Sequence, residues 1–282
     1  MSMFLQGRAW KGALAVLGAL SVAAGVMAAT TSGAAKPTYK VDHQLCYTAS
    51  GKFAPPTGSK VTLFNQFAPN GFTPVLKPYA VMHCNPVLKV IKTSVGQKSY
   101  VPTNPRAHLA CVPMSLPLGT TQKLPKVYVK NQFGAAVLYL SQPNLFCLPS
   151  WKSLTGPPNL KPTTPPGLNH FTCYPVKDFS NGAYKPPGAV YLRDEFSSTL
   201  VPVQVNPIPK ELCLPTKKVI QSPGTGTKIY PILDPVTHLL CFQVTKTPFK
   251  PKVWDENQFG TSVMTITATK WLCLPSTKKV LP

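Results

Sequence analysis

Acidic residues are scarce in this chain. Eight Asp and Glu stand against 29 Lys and Arg in 282 residues, a formal net charge of +21. Paired carboxylates for glycoside chemistry would have to come from those few acids. The adjacent pairs Asp194-Glu195 and Asp255-Glu256 would send their side chains to opposite faces of a strand. Arginine is nearly missing too, with only Arg8, Arg106 and Arg193. The positive charge is therefore lysine, a hydrated point charge without the bidentate fork that reads bases and phosphates. Sequence-specific nucleic acid is not an expected partner. There is no Gly-x-Ser-x-Gly elbow, and Gly224-Thr-Gly226-Thr-Lys228 lacks the spacing of a phosphate loop. Beyond the first residues no stretch is apolar and long enough to cross a membrane, and no window holds a capped helical period. These absences leave no catalytic residue, no cofactor and no metal in the expected inventory.

What is present begins with an export signal. Arg8 and Lys11 precede an apolar run from Gly12 to Val26, and Val26-Met27-Ala28 offers a cleavage site, so residues 1–28 read as a signal peptide. Its removal leaves 27 basic and 8 acidic residues, hence about +19. Residues 29–40 read as a flexible leader. Proline is abundant, at 33 of 282 residues. Proline cannot donate to a β-ladder and breaks helices, so it punctuates short strands and loops.

Self-similarity then organises the rest. His-x-x-Cys occurs at His43/Cys46, His108/Cys111, His170/Cys173 and His238/Cys241. Val-x-x-x-[Asn/Asp]-[Gln/Glu]-Phe runs from Val61 to Phe67, Val127 to Phe133, Val190 to Phe196 and Val253 to Phe259. Cys-x-Pro closes each unit at Cys84, Cys147, Cys213 and Cys273. The three marks recur in one order, and all eight cysteines belong to them. His83 is the one irregular histidine, standing where Phe146, Leu212 and Leu272 stand in the other units. The third unit departs in its middle mark, with Asp194-Glu195-Phe196-Ser197, and the first has Ala68 for Gly and Asn85 for Leu.

This layout resembles an uncharacterised family of tandem-repeat domains in secreted bacterial proteins. That family is built on His-x-x-Cys, a Gln-Phe-Gly core and a closing Leu-Cys-x-Pro. The resemblance covers roughly the whole mature chain and implies a repeat fold without an assigned activity.

The expected fold is all-β: four tandem small antiparallel β-repeats, each closed by one intra-repeat disulfide. The units span residues 41–89, 106–153, 169–220 and 236–282, with a Pro-rich linker at 154–168. Val90 to Pro105 and Gln221 to Pro235 read as connecting surface loops. Four strands are expected per unit: one with His-x-x-Cys, one running into Asn-Gln-Phe, one after the turn at Gly134 or Gly260, and one with Cys-x-Pro. Alternation in Val127-Tyr-Val129 and Val201-Pro-Val203-Gln-Val205 marks half-buried strands. In the first unit, Pro69-Asn70-Gly71 is expected to take over the turn. Eight cysteines allow 105 pairings, but units that fold alike must each close their own ring. That selects Cys46–Cys84, Cys111–Cys147, Cys173–Cys213 and Cys241–Cys273. A Cys₂His zinc site in each unit is disfavoured, because exported thiols oxidise and residues three apart on a strand face opposite ways. The histidines are expected to be partly buried and to bond backbone at the start of their strands.

The lysine doublets Lys217-Lys218 and Lys278-Lys279 follow a closing Cys-x-Pro and are the candidate polyanion contacts. The expected protein is secreted, at the cell exterior or in the envelope. It is structural or binding rather than enzymatic, with an anionic surface polymer or polysaccharide as the partner class. The alternative is an extracellular enzyme acting on an anionic or polysaccharide substrate, and that would require one unit with a distinctive polar cluster near His83.

Overall fold

The computed structural model describes residues 41–157, 167–180 and 184–282. The expected signal peptide (1–28), the leader (29–40) and residues 158–166 of the expected linker lie outside the described residues. All strands fall within the unit Thr38–Pro282.

Unit one supplies β1 (Gln44–Lys52), β2 (Lys60–Asn65), β3 (Ala68–Phe72), β4 (Val75–Leu76) and β5 (Tyr79–Pro86), followed by β6 (Leu88–Thr93) and β7 (Gly96–Tyr100). Unit two supplies β8 (His108–Ser115), β9 (Val127–Asn131), β10 (Gly134–Leu140) and β11 (Leu145–Ser153). Unit three supplies β12 (His170–Phe179), β13 (Val190–Arg193), β14 (Val201–Val203), β15 (Val205–Ser222) and then β16 (Gly226–Tyr230). Unit four supplies β17 (His238–Val244), β18 (Lys252–Asn257) and β19 (Gly260–Val280). The fold is all-β, as expected.

Eight of these strands close a ring. β1 pairs with β5, β5 with β8, β8 with β11, β11 with β12, β12 with β15, β15 with β17, β17 with β19, and β19 returns to β1, every pair antiparallel. Each unit gives two neighbouring strands, one bearing His-x-x-Cys and one bearing Cys-x-Pro. Within each unit the cysteines lie directly opposite one another, and all four expected bridges form: Cys46–Cys84, Cys111–Cys147, Cys173–Cys213 and Cys241–Cys273. At each seam between units the register advances by two. Cys84 faces Leu109, Cys147 faces Phe171, Cys213 faces Leu239, and Cys273 faces Gln44. Four advances of two residues give a stagger of eight around eight strands (4 × 2). A barrel of this size is filled by its own side chains.

Its filling is the cysteines. All eight are buried in one cluster with Met82, Leu109, Leu145, Phe171, Leu239 and Trp271. Neighbouring bridges touch, Cys46 Sγ to Cys273 Sγ at 3.6 Å and Cys147 Sγ to Cys173 Sγ at 3.8 Å. Side chains of the other parity, such as Leu45, Ala110, Phe146, Leu212, Leu240 and Leu272, face outward into a second apolar cluster. The outer hairpins cover them with Val61, Leu63, Val127, Val129, Val190 and Val253. The barrel strands are therefore buried on both faces, which is why they read as runs such as Leu-Leu-Cys-Phe. The hairpin strands are buried on one face, which is why they alternate: Val127 and Val129 are buried and Tyr128 between them is exposed.

The units do not make four separate small sheets. Each middle-mark hairpin docks on the strand that follows Cys-x-Pro two units along: β2 on β15, β9 on β19, β13 on β6, and β18 on β11. The physical reason is size. A unit of some fifty residues cannot cover both faces of its own strands, and closing the ring removes the edges that four isolated sheets would expose. The connecting segments also differ from expectation. Val90 to Pro105 carries most of the β6–β7 hairpin, and Gln221 to Pro235 carries the end of β15 and β16.

One device makes all four middle marks turn alike. The side-chain oxygen of Asn65, Asn131, Asp194 or Asn257 accepts the backbone N–H of the Phe two residues on, at 2.8–2.9 Å. This is the local bond by which Asn and Asp favour turns. Gly134 and Gly260 follow with φ of 140° and 110°, a backbone that side chains resist. In the first unit the turn stays at Gln66-Phe67, and Asn70-Gly71 lie inside β3 rather than at its tip.

Candidate functional site

The docked hairpins bring four chemically similar places together. Lysines stand five residues after each closing cysteine: Lys89, Lys152, Lys218 and Lys278 (84 + 5, 147 + 5, 213 + 5, 273 + 5). Each lysine Nζ lies over the middle-mark phenylalanine of the next unit round the ring. Lys89 is 5.1 Å from the Phe133 ring, Lys152 4.3 Å from Phe196, Lys218 5.0 Å from Phe259 and Lys278 4.9 Å from Phe67. The residue before that Phe supplies a polar partner. Lys218 donates to Gln258 at 2.8 Å, Lys278 to Gln66, and Lys152 pairs with Glu195 at 2.8 Å. The histidine of the unit carrying the lysine joins in three cases: His43 with Gln132, His108 with Glu195 and His170 with Gln258. Only His238 bonds backbone alone as expected, Nδ1 to Val236 O at 2.8 Å.

Burial sets the protonation of these groups, because a charge removed from water favours its neutral form. Burial, with the charge of Lys98 added, brings Lys89 down to about 6. Burial lowers Lys218 well below the ordinary lysine value and Lys278 to about 8. Burial and the adjacent lysine lower His43 and His170 well below the usual imidazole range and His238 to about 4. These three places are aromatic-lined, and the groups facing each lysine are an amide or an uncharged imidazole.

The fourth place, between units two and three, is different. Lys152, its side chain 0% exposed, touches both Asn85 Oδ1 at 2.9 Å and Glu195 Oε2 at 2.8 Å. Asn85 Oδ1 also lies 2.9 Å from His83 Nε2 and 3.1 Å from His108 Nδ1. Asn85 Nδ2 donates to Asp194 Oδ2 at 2.8 Å, and Tyr47 OH donates to the same oxygen at 2.8 Å. His83 Nδ1 faces Asp255 Oδ2 at 3.1 Å, both fully buried. Burial lowers Lys152 against the opposing pull of Glu195. Burial raises Glu195, but the His108 hydrogen bond and the Lys152 charge more than offset it, leaving the carboxyl at about 2. Burial brings His108 down to about 3, with Glu195 opposing. Asp194 and Glu195 do not diverge as strand neighbours would. β13 ends at Arg193, and from the turn both carboxylates reach the Asn85–Lys152 pair.

The candidate polyanion lysines separate by exposure. Lys279 is exposed; Lys217 is half-buried over Phe64, 4.5 Å from its ring; Lys278 is half-buried against Gln66. Lys218 is 0% exposed and cannot meet a polymer. Its register turns it inward while its neighbour in the doublet turns out. Lys89 and Lys152 are not among the residues expected from the sequence; their signal is the constant five-residue spacing after each closing cysteine.

The exterior is lopsided in charge. Glu211, Asp234, Asp255 and Glu256 are buried. Of the acids only Asp178 and Glu195 are exposed, against fifteen exposed lysines among the described residues. A shallow groove of about 430 Å³ runs along Gln204 to Pro207 and Gln243 to Lys246. A second, of about 290 Å³, shares Gln243, Val244 and Lys246 and adds Thr48, Thr269, Lys270 and Trp271. Neither has an acid in its lining. No described helix is long and apolar enough to cross a membrane. Comparison with family models, with curated proteins and with solved structures finds no match.

Proposed function

We propose that the chain is four tandem copies of one unit and works as an exported, non-enzymatic binding protein of the cell exterior, holding anionic polysaccharide through its lysines. The observation that carries this reading is the exposed charge: fifteen lysines against two acids among the described residues. Such an exterior attracts polyanions from any direction, and clefts of one sign focus that attraction. The two grooves share Gln243, Val244 and Lys246, and they place Lys246 and Lys270 in linings without an acid, which suits an anionic ligand. Export is supported by the signal-like residues 1–28 and by four disulfides, which belong to oxidising compartments.

The test is retention on an immobilised sulfated polysaccharide at two salt levels. Retention at low salt and release near 0.5 M is expected, because the screening length falls from ~10 Å at 0.1 M to ~3 Å at 1 M. Retention indifferent to salt, or none at low salt, would remove the reading. A second reading, an extracellular enzyme acting on an anionic or polysaccharide substrate, draws on the cluster around His83. Against it, His83 and Asp255 are 0% exposed. The cavity touching Tyr47 and Asp194 is about 50 Å³, well below the ~300 Å³ from which ligand pockets begin.

A further inference from the structure

Three departures from the repeat converge on one lysine. After the closing cysteine, units two to four carry Leu148, Leu214 and Leu274, while unit one carries Asn85. Before it they carry Phe146, Leu212 and Leu272, while unit one carries His83. The middle mark is Asn-Gln in three units and Asp194-Glu195 in the third. All these odd residues gather around Lys152. The other three lysines meet aromatic rings and at most a neutral amide; this one meets an asparagine amide and a carboxylate inside an aromatic, water-poor setting.

We propose that Lys152 and Asn85 become joined by an isopeptide bond, formed without any other enzyme between the lysine amine and the asparagine side-chain amide, with loss of ammonia. Lys152 Nζ sits 2.9 Å from Asn85 Oδ1, the atom one bond from the carbon it attacks. Glu195 Oε2, 2.8 Å from Nζ, takes a proton from the ammonium and frees the lone pair. Burial weakens the hold of Lys152 on that proton while Glu195 favours its carboxylate form, so the reaction proceeds from the minor state in which the amine is neutral and the carboxyl protonated. The amine adds to the amide carbon, and negative charge grows on Oδ1. That oxygen lies 2.9 Å from His83 Nε2 and 3.1 Å from His108 Nδ1, and an imidazole that carries its proton on the facing nitrogen donates where the charge develops. Asp194, held by Tyr47 OH, accepts from Asn85 Nδ2 and fixes which way the amide turns. The C–N bond to Nδ2 breaks, Glu195 returns its proton to the departing nitrogen, and the attacking nitrogen's second proton follows. An ammonium and a primary amide become a secondary amide and an ammonium ion; nothing is oxidised or reduced, and Glu195 ends as the carboxylate it began. Glu195, 42% exposed, marks the way out for ammonia. Each disulfide closes one unit. This bond joins unit one to unit two, from β5 to β11 across the intervening β8.

The experiment is a reduced, alkylated digest of the exported full-length protein, read by mass spectrometry. The expected product is a branched peptide containing Asn85 and Lys152, lighter than its two parts by one ammonia and uncleaved by trypsin after Lys152. Lys152→Arg and Asn85→Ala should each return two separate peptides. Asn85→Asp should give the same branched product by loss of water. Glu195→Gln should fold, with its strand circular dichroism unchanged, yet remain unlinked. Finding the two peptides separate and at full yield in the wild-type protein overturns the proposal. That reading does not depend on any variant folding. A linked Glu195→Gln variant overturns the proton-carrying role given to Glu195.

Discussion

Lys89→Met should make the stability of this protein less dependent on pH, and the size of the effect follows from where the lysine sits. Lys89 is 0% exposed, its Nζ has no hydrogen-bond partner, and the rings of Tyr100 and Phe133 lie 4.4 and 5.1 Å away. Burial holds its value at about 6, against 10.5 for the free side chain. Between those values the unfolded chain binds a proton that the folded chain does not. Stability therefore rises with pH across that window and is lost as pH falls toward 6. Each pH unit contributes about 1.4 kcal/mol, so going from pH 7 to pH 9 should add about 2–3 kcal/mol through this residue alone. Methionine fills the same space without the titration. Denaturant unfolding with the disulfides intact, at pH 7, 8 and 9, should show the variant more stable than the wild type at pH 7, with the gap closing by about 2–3 kcal/mol at pH 9. The comparison cancels the contributions of Lys218 and Lys278, which both proteins keep. Parallel pH dependences for the two proteins would refute the assignment of a neutral buried amine.

Replacing Cys111 and Cys147 together by Ala should cost about 4 kcal/mol, the chain-entropy value for a loop of this size, read as a fall in the unfolding midpoint. The loop spans 36 residues, and no change in midpoint would contradict it. Asn131→Ala removes the acceptor for Phe133 N–H and the donor to Ser276 Oγ at a buried turn; a loss of about 1–3 kcal/mol is expected in the same assay. On the polysaccharide column, Lys279→Gln should elute at lower salt than wild type, whereas Lys218→Met should elute unchanged, since only the first lysine reaches solvent.

Much of one unit was legible, and little of how units meet. The opposed cysteines followed from the repeat alone, since units that fold alike must close alike. The turn after Asn-Gln-Phe was visible because its side-chain bond is local. Ring closure was not, because β1 and β19 pair Cys46 with Trp271, far apart in the chain, and an alternating strand reads the same whatever sheet it docks on. Gln221 to Pro235 carries the composition of a loop because a hairpin at the rim is exposed on both faces. The buried lysines are not legible in the sequence, because lysine is ordinarily a surface residue and adjacency in the doublet does not show that Lys218 turns inward while Lys217 stays half-buried. On a regular strand, the neighbours Asp194 and Glu195 would point apart. The turn that begins after Arg193 aims both at Asn85 and Lys152, where the candidate chemistry lies.

The claim on which the rest depends is that the units interlock, each hairpin completed by a strand two units away. It is tested most directly by producing residues 41–157, units one and two, on their own in an oxidising compartment and following denaturant unfolding. Interlocking predicts no cooperative transition, because β2 and β9 have lost β15 and β19, with cooperativity restored when the half comprising units three and four is added. A fragment that unfolds cooperatively by itself, with both native disulfides, would contradict it.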